Sequence, residues 1–406
     1  MKDLTANRVS RYLRKISFRT LGLLGVLLAV FGSGGFGQQI PAARSAYEEG
    51  LKLENEGRHE QAAQKFLKAI DINPEFSDAY YGLGSSDLHA GKTQEAIKAF
   101  LQLTQIEPAN AKATLAAADA YVGLELYDDA LVLYSRAARI DPQSATVHYD
   151  LGNVFLQKKE YAEAISELEK ALSLESSMIP AQRLLVSAFL ATGKVAAAEE
   201  RLQQAVSRNK DSPELPTDLA NLLLANHRVS EAEEEFKSAL AVRPNYMPAH
   251  LGLAKLYRRT GRAALALQEV AGVLERDPEN SVAVLEKGQC EYSLGSLDSA
   301  ARDFEQFARL EPGKPEGEYL LGLLHLTEGR FEWAVKDFKQ AVNIDAKFAD
   351  AYYYMAEAYH KNNQSAQAKE ALAHCLDIDP TNQKAIALRA TLGLADLKTV
   401  ETALPK

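Results

Sequence analysis

The amino-acid sequence predicts an all-α protein of ten helical hairpins that repeat every 34 residues. Two observations support this prediction. In windows that begin at Ala43 and advance by 34 residues, the twentieth position is alanine in all ten windows, with no insertion or deletion. Within each window, apolar residues recur at three- and four-residue spacing in two blocks, which indicates two amphipathic helices. The chain has 406 residues, and the repeats occupy residues 43–382.

The segment before the repeats, residues 1–37, has the features of a secretory signal peptide. Six basic residues precede an apolar run at 21–31, and Gly35-Phe36-Gly37 places small residues where a signal peptidase cuts. We therefore expect cleavage after Gly37. A membrane anchor that is retained in residues 20–37 is the second interpretation, although the apolar run is shorter than the roughly 20 residues that span a bilayer.

Gly32, Gly34 and Gly37 also match the G-x-G-x-x-G turn that binds phosphates in dinucleotide-binding proteins. That turn requires a preceding strand and a helix that begins at the glycines, within a βαβ unit. Here Pro41 follows soon after the glycines, and no second β-rich segment is found. The sequence therefore predicts no nucleotide cofactor, and no other pattern in it predicts a metal or a cofactor.

Each repeat is predicted to contain a first helix, a turn and a second helix. The eighth position is small in nine of the ten repeats, and the twenty-fourth is always large and apolar. A breaker such as Gly57 lies near the fifteenth position, and proline at the thirty-second position ends the second helix in seven repeats. Small residues at eight and twenty let the two helices approach closely, and large residues at twenty-four fill the space against the next repeat.

This pattern resembles the tetratricopeptide repeat family over residues 43–382. The resemblance implies a right-handed superhelical solenoid of ten helix-turn-helix repeats with a concave groove, in which each repeat is buried only against its neighbours. Residues 174–216 are the least regular, with Val186 at the small eighth position and Lys210 in place of proline. Residues 383–394 continue the phase as a capping helix, and we expect a frayed tail at 395–406.

The resemblance also implies that first-helix positions two, five, nine, twelve and thirteen face the groove. Position five carries tyrosines that include Tyr47 and Tyr81, position twelve carries an apolar row, and repeat seven carries a basic group. The candidate peptide-binding residues are Leu88, Val122, Leu156, Leu190, Leu224, Asn221, Lys255, Arg258, Arg259, Gln289 and Tyr292. The leucines either form a partner site or pack on neighbouring helices. The basic group either binds a carboxylate or is a solvated charged face.

Composition excludes other functional classes. The net charge is −9, and without residues 1–37 it is −14, so the chain should repel nucleic acid. Cys290 and Cys375 are two repeats apart and should not form a disulfide. The eight histidines show no H-x-x-x-H spacing, and His148 and His250 are expected to be partly buried packing residues. The sequence shows no catalytic pattern, and the 24 residues after the repeats are too few for an enzyme domain.

We therefore expect an exported, non-catalytic scaffold that binds a protein or an extended peptide in its groove, in the bacterial periplasm. Two alternatives stay open. One is an assembly factor of a cell-envelope or secretion machine, anchored in the inner membrane and facing the periplasm. The other is a non-catalytic subunit of a glycosyltransferase or polysaccharide-export complex. Secretion from the cell is the further alternative for its location.

Overall fold

The computed structural model describes residues 36–392, with side chains from Pro41 onward, and in this range the protein has 21 α-helices and no strands. The chain forms two compact units, one that ends at Ala198 and one that begins at Glu199. The helices are α1 Phe36–Asn55, α2 His59–Ile72, α3 Ser77–His89, α4 Thr93–Ile106, α5 Ala111–Gly123, α6 Tyr127–Ile140, α7 Ala145–Gln157, α8 Tyr161–Leu174, α9 Ile179–Ala191, α10 Val195–Arg208, α11 Glu214–Ala225, α12 Val229–Val242, α13 Met247–Arg259, α14 Ala263–Leu274, α15 Ser281–Ser293, α16 Leu297–Leu310, α17 Glu316–Thr327, α18 Phe331–Ile344, α19 Ala349–Lys361, α20 Ser365–Ile378 and α21 Gln383–Thr391.

The helices form consecutive helix-turn-helix pairs, which confirms the predicted fold class. Odd-numbered helices from α1 to α19 are the first helices of the ten repeats, and even-numbered helices are the second. The alanine at the twentieth position has no exposed surface in any of the ten repeats. The phase assigned from the sequence is therefore that of the folded protein.

The large residue at the twenty-fourth position packs between two first helices. Phe66 is fully buried. A Cβ atom added to Gly50, in the same repeat, would lie 2.7 Å from the Phe66 ring, and one added to Gly82, in the next repeat, would lie 2.8 Å from it. The glycines therefore create the space that the ring fills, and this contact joins one repeat to the next.

The turn within each repeat requires a left-handed backbone conformation, and either glycine or another residue adopts it. The fifteenth residue has a positive φ in all ten repeats. Six of these residues are glycines with φ between 72° and 77°, and the others are Glu125, Lys159, His227 and Asn363, with φ between 58° and 62°. Glycine is preferred because it adopts this left-handed conformation without steric cost.

The ends of the array extend the sequence prediction. Helix α1 begins at Phe36, seven residues before the first repeat window, and it includes Pro41. Helix α21, Gln383–Thr391, lies within residues 383–394, where the sequence predicts a capping helix. Residues 1–35, which are most of the predicted signal segment, and the tail at 393–406 lie outside the described residues. Among the described helices, none is long and apolar enough to cross a membrane.

The irregular repeats and the two cysteines can both be located in the structure. The boundary after Ala198 falls within α10 and within residues 174–216, the segment with the least regular repeats. Cys290 and Cys375 are both free, as expected, and both are buried. Burial raises the pKa of each thiol to about 11, so neither is a reactive thiolate at neutral pH.

Candidate functional site

A cavity of about 290 Å³ lies against the first helices of repeats one to three, in the N-terminal unit. Positions two, five, nine and twelve of these helices supply most of its lining. The lining residues are Tyr47, Leu51, Glu54, Phe66, Ser77, Asp78, Tyr81, Gly82, Ser85, Leu103, Glu107, Asn110 and Lys112. The structure thus brings together positions that the family resemblance assigns to the groove.

Aromatic packing holds the two cavity tyrosines in place. The Tyr47 ring lies 5.5 Å from the Phe66 ring and 5.0 Å from the Phe76 ring, between ring centroids. Tyr81 lies 5.6 Å from Phe100 in the same way. Each of these two tyrosines therefore rests on the buried phenylalanine at position twenty-four of its own repeat, which fixes its ring at the cavity wall.

The charged groups of the cavity are mainly acidic. Asp78 is exposed at position two of the second repeat. Burial raises the pKa of the Tyr47 hydroxyl, and the Asp78 carboxylate raises it further. Glu107 accepts a hydrogen bond from Asn110 Nδ2 at 2.7 Å. The one basic residue of the lining, Lys112, has its Nζ 4.1 Å from the centre of the Tyr81 ring, which is a cation–π contact.

The apolar row at position twelve is only partly exposed. In the N-terminal unit, Leu88, Val122 and Leu156 are half-buried and pack against core clusters, whereas Leu190 is 40% exposed. In the C-terminal unit, Leu224 is only 6% exposed, so it is a core residue and not an exposed member of the row. Packing on neighbouring helices accounts for four of these five residues.

The three residues of the basic group in repeat seven have different environments. The Arg258 guanidinium lies on the buried Glu286 carboxylate of the next repeat, with Nε 2.8 Å from Oε2 and Nη2 3.5 Å from Oε1. The carboxylate expected from a bound peptide is therefore already supplied by the protein itself. Lys255 and Arg259 are exposed on the same helix.

The neutral donors predicted beside the basic group also differ in exposure. Asn221 is exposed, whereas Gln289 and Tyr292 are half-buried. The Tyr292 hydroxyl lies 2.8 Å from Thr327 Oγ1, so its hydrogen bond is made within the protein. Of this set, Asn221 is the side chain that the fold leaves most open to solvent.

His148 and His250 have structural environments. The Nδ1 atom of His148 lies 2.7 Å from Glu167 Oε2, and its Nε2 lies 3.2 Å from the Pro142 carbonyl oxygen. His250 makes the equivalent two contacts three repeats later. Both nitrogens of each ring therefore have partners. Each histidine lies on a first helix and contacts the second helix of its repeat and the loop before it, so both are packing residues.

A cluster of Glu54, His59 and His89 lies beside the cavity and was not predicted from the sequence. Glu54 Oε1 lies 3.0 Å from His59 Nδ1 and 2.6 Å from His89 Nδ1. The buried Ser86 hydroxyl donates a hydrogen bond to Glu54 Oε2 at 2.6 Å. The repeat positions of these residues could have indicated the cluster. Glu54 is at position twelve and His59 at position seventeen of repeat one, and His89 is at position thirteen of repeat two.

Family models match most of the repeat array. Two models described as tetratricopeptide repeat match residues 47–111, 115–177 and 266–315, and residues 155–222, 189–241 and 223–282. A model described as TPR repeat matches 322–363, and a further tetratricopeptide repeat model matches 349–382. Together these matches follow the array from the first repeat to the tenth.

Individual relatives are distant. Human tetratricopeptide repeat protein 6 is 24% identical over 119 residues, which are 29% of this chain and 22% of that protein. Human mitochondrial import receptor subunit TOM70 is 24% identical over 113 residues, 26% of this chain and 19% of that protein. The matching segments thus span about a fifth of these relatives. A tetratricopeptide repeat protein from Parabacteroides merdae has a solved structure with a TM-score of 0.50 and 18% identity, covering 62% of this chain and 98% of that one.

Proposed function

Because this chain is built from tetratricopeptide repeats, we propose that it is a non-catalytic scaffold that binds a protein or an extended peptide on the groove side of its first helices. The observation that supports this most strongly is the cavity of repeats one to three. It gathers apolar, aromatic and acidic side chains from three consecutive first helices at one concave place. Such a surface suits recognition, since a few polar groups around an apolar pocket fix the orientation of a ligand.

The dimensions and charge of the cavity indicate the kind of segment that fits. Its volume, about 290 Å³, is at the small end of ligand pockets, which range from about 300 to 1,000 Å³. One large apolar side chain of a peptide would fill it, between Tyr47 and Leu51. The carboxylates of Asp78 and Glu107 at the same cavity favour a basic residue beside that anchor.

Leu51 provides a direct test. It is 40% exposed in the cavity, whereas Leu67 is 47% exposed on the second helix of the same repeat and does not line the cavity. Peptides would be selected from a display library against the purified chain, and their affinity measured by fluorescence anisotropy. We expect Leu51→Asp to weaken binding at least tenfold and Leu67→Asp to leave it unchanged.

Circular dichroism would establish that both variants keep their helices. If Leu51→Asp and Tyr81→Ala each bind the selected peptides like the wild-type chain, the cavity is not the binding site. If the two leucine variants lose binding equally, the loss comes from a general effect of the added charge.

We also propose that this scaffold acts outside the cytoplasm, in the periplasm of a bacterium, after cleavage of residues 1–37. The support is the sequence pattern of that segment: basic residues, an apolar run and small residues at the cleavage position. Mass spectrometry of the protein from its native source should find an N-terminus at Gln38. A membrane-fraction protein that keeps residues 1–37 would instead favour the anchored assembly factor.

A further inference from the structure

We propose that Glu54, His59 and His89 form a binding site for a divalent transition-metal ion, with zinc as the best-fitting ion. Their potential ligand atoms, one carboxylate oxygen and two imidazole nitrogens, all lie within 4.8 Å of one another. The three residues come from three helices: the end of α1, the start of α2 and the end of α3. This site goes beyond the proposed peptide binding and does not depend on it.

The donor set determines the class of ion. Two imidazoles and a carboxylate suit zinc and neighbouring transition metals, whereas magnesium and calcium prefer oxygen ligands throughout. Zinc binds three protein ligands in many sites and keeps a fourth position for water. The partial exposure of the site, with 31% of the His59 side chain and 57% of the His89 side chain accessible, leaves a path for the ion and that water.

The surroundings orient the carboxylate. Ser86 is fully buried on α3, and its hydroxyl donates to Glu54 Oε2, which leaves Oε1 directed at both imidazoles. A hydrogen bond of this kind to a ligating carboxylate is typical of metal sites, where it fixes the ligand in place. The two imidazole rings are also close, with centroids 4.8 Å apart, and the Nδ1 atom of each ring lies within 3.0 Å of Glu54 Oε1.

The ion would connect the first two repeats. Glu54 and His59 belong to repeat one, and His89 belongs to repeat two. In a repeat array, stability is approximately the sum of the repeats and the interfaces between neighbours. A ligand that binds only the folded array raises its stability. Zinc should therefore stabilise the interface that forms one wall of the cavity.

The test uses zinc ions and the purified full chain after treatment with a chelator. Isothermal titration calorimetry should show one zinc ion per chain with micromolar or tighter affinity. X-ray absorption at the zinc edge should show two imidazole nitrogens and at least one carboxylate oxygen. His59→Gln and His89→Gln should each weaken binding at least tenfold, while the exposed His227→Gln, in repeat six, should bind zinc like the wild-type chain.

A second measurement separates metal binding from the integrity of the fold. Addition of zinc should raise the thermal midpoint of the wild-type and His227→Gln chains, and should not raise that of the His59→Gln/His89→Gln double variant. No stoichiometric binding, or binding that survives in the double variant, would overturn the proposal. Peptide affinity measured in the presence of chelator tests the function of the cavity separately, so failure of one proposal is distinguishable from failure of the other.

Discussion

At the scale of single residues, Gly252 is required by the ring beside it. Its added Cβ would lie 2.2 Å from Phe236, which is fully buried. Gly252→Ala should therefore destabilise the protein by about 1–3 kcal/mol through overpacking. Gly272 lies in the next helix, and beyond the backbone of that helix no atom lies within 4 Å of its added Cβ, so Gly272→Ala should stabilise the protein by about 1 kcal/mol through helix propensity.

The measurement for this pair is the midpoint of urea unfolding followed by circular dichroism. The same substitution, glycine to alanine, is made in two helices of one repeat. The direction in which each unfolding midpoint shifts therefore shows whether the added methyl group has room. A gain in stability for Gly252→Ala would mean that the Phe236 ring moves aside without cost.

Asp150 should make stability depend on pH. Burial and, after it, the nearby Asp119 carboxylate raise the pKa of Asp150 from 3.8 to about 7. Because the folded state then holds this proton more tightly than the unfolded state, stability should fall as the pH rises from about 4 to about 7 and should level off above it. The loss is at most about 1.4 kcal/mol for each unit by which the pKa is raised.

The variant Asp150→Asn removes the titrating group. Its thermal midpoint should exceed that of the wild-type chain at pH 8, and the difference should shrink toward pH 4.5. Asp298→Asn, at an exposed position in another repeat, serves as the control. A difference between Asp150→Asn and the wild-type chain that is independent of pH would show that Asp150 does not titrate in this range.

At the scale of helices, Arg258 and Glu286 join α13 to α15. Their side chains are 24% and 11% exposed, so each charge is largely removed from water and depends on the other. Arg258→Met or Glu286→Leu alone should destabilise by about 1–3 kcal/mol, because the remaining charge loses its partner. The double variant should recover much of that loss, since it leaves neither charge unpaired.

A double-mutant cycle from unfolding midpoints measures this coupling. We expect an interaction energy of about 0.5–3 kcal/mol between the two positions. Strictly additive effects would mean that solvent, and not the partner, satisfies each group.

The sequence predicted the helices and their phase, and the structure confirms both. Alanine at position twenty could be read without a structure, since close helix contact requires a small side chain in every repeat. The partners across repeats could not be predicted. Position six of a first helix faces the preceding repeat, as Gly82 faces Phe66 and Glu286 faces Arg258. The repeat pattern alone predicts no role for that position.

The candidate site was predicted only in part, because contacts between repeats cannot be read from the repeat pattern. Tyr47 and Tyr81 were expected on the groove side, and they line the cavity. Burial of Leu224 depends on the side chains of the helices around it, which periodicity does not report. His59 and His89 are 30 residues apart in the sequence and lie on different kinds of helix. Their approach depends on how the second helix of repeat one packs beside the first helix of repeat two.

At the scale of the molecule, local contacts hold each of the two compact units together. Within each unit, every pair of described helices in extensive contact belongs to one repeat or to consecutive repeats. A local defect should therefore loosen its neighbours and leave distant repeats unchanged. Ala300 is fully buried at position twenty of repeat eight, so the larger side chain of Ala300→Phe should overpack the helix crossing. We expect it to lower the free energy of unfolding by about 1–3 kcal/mol.

Hydrogen exchange followed by mass spectrometry can locate that effect. We expect amide protection to fall in repeats eight and nine, which contain α16 and its packing partners α15 and α17, and to stay at the wild-type level in repeats one to three. Ala271→Phe, at an exposed alanine of repeat seven, is the control for the added ring. Equal loss of protection along the whole chain would show that the repeats unfold as one cooperative body. Such cooperativity would have to come from interfaces strong enough to transmit a defect through every repeat in turn.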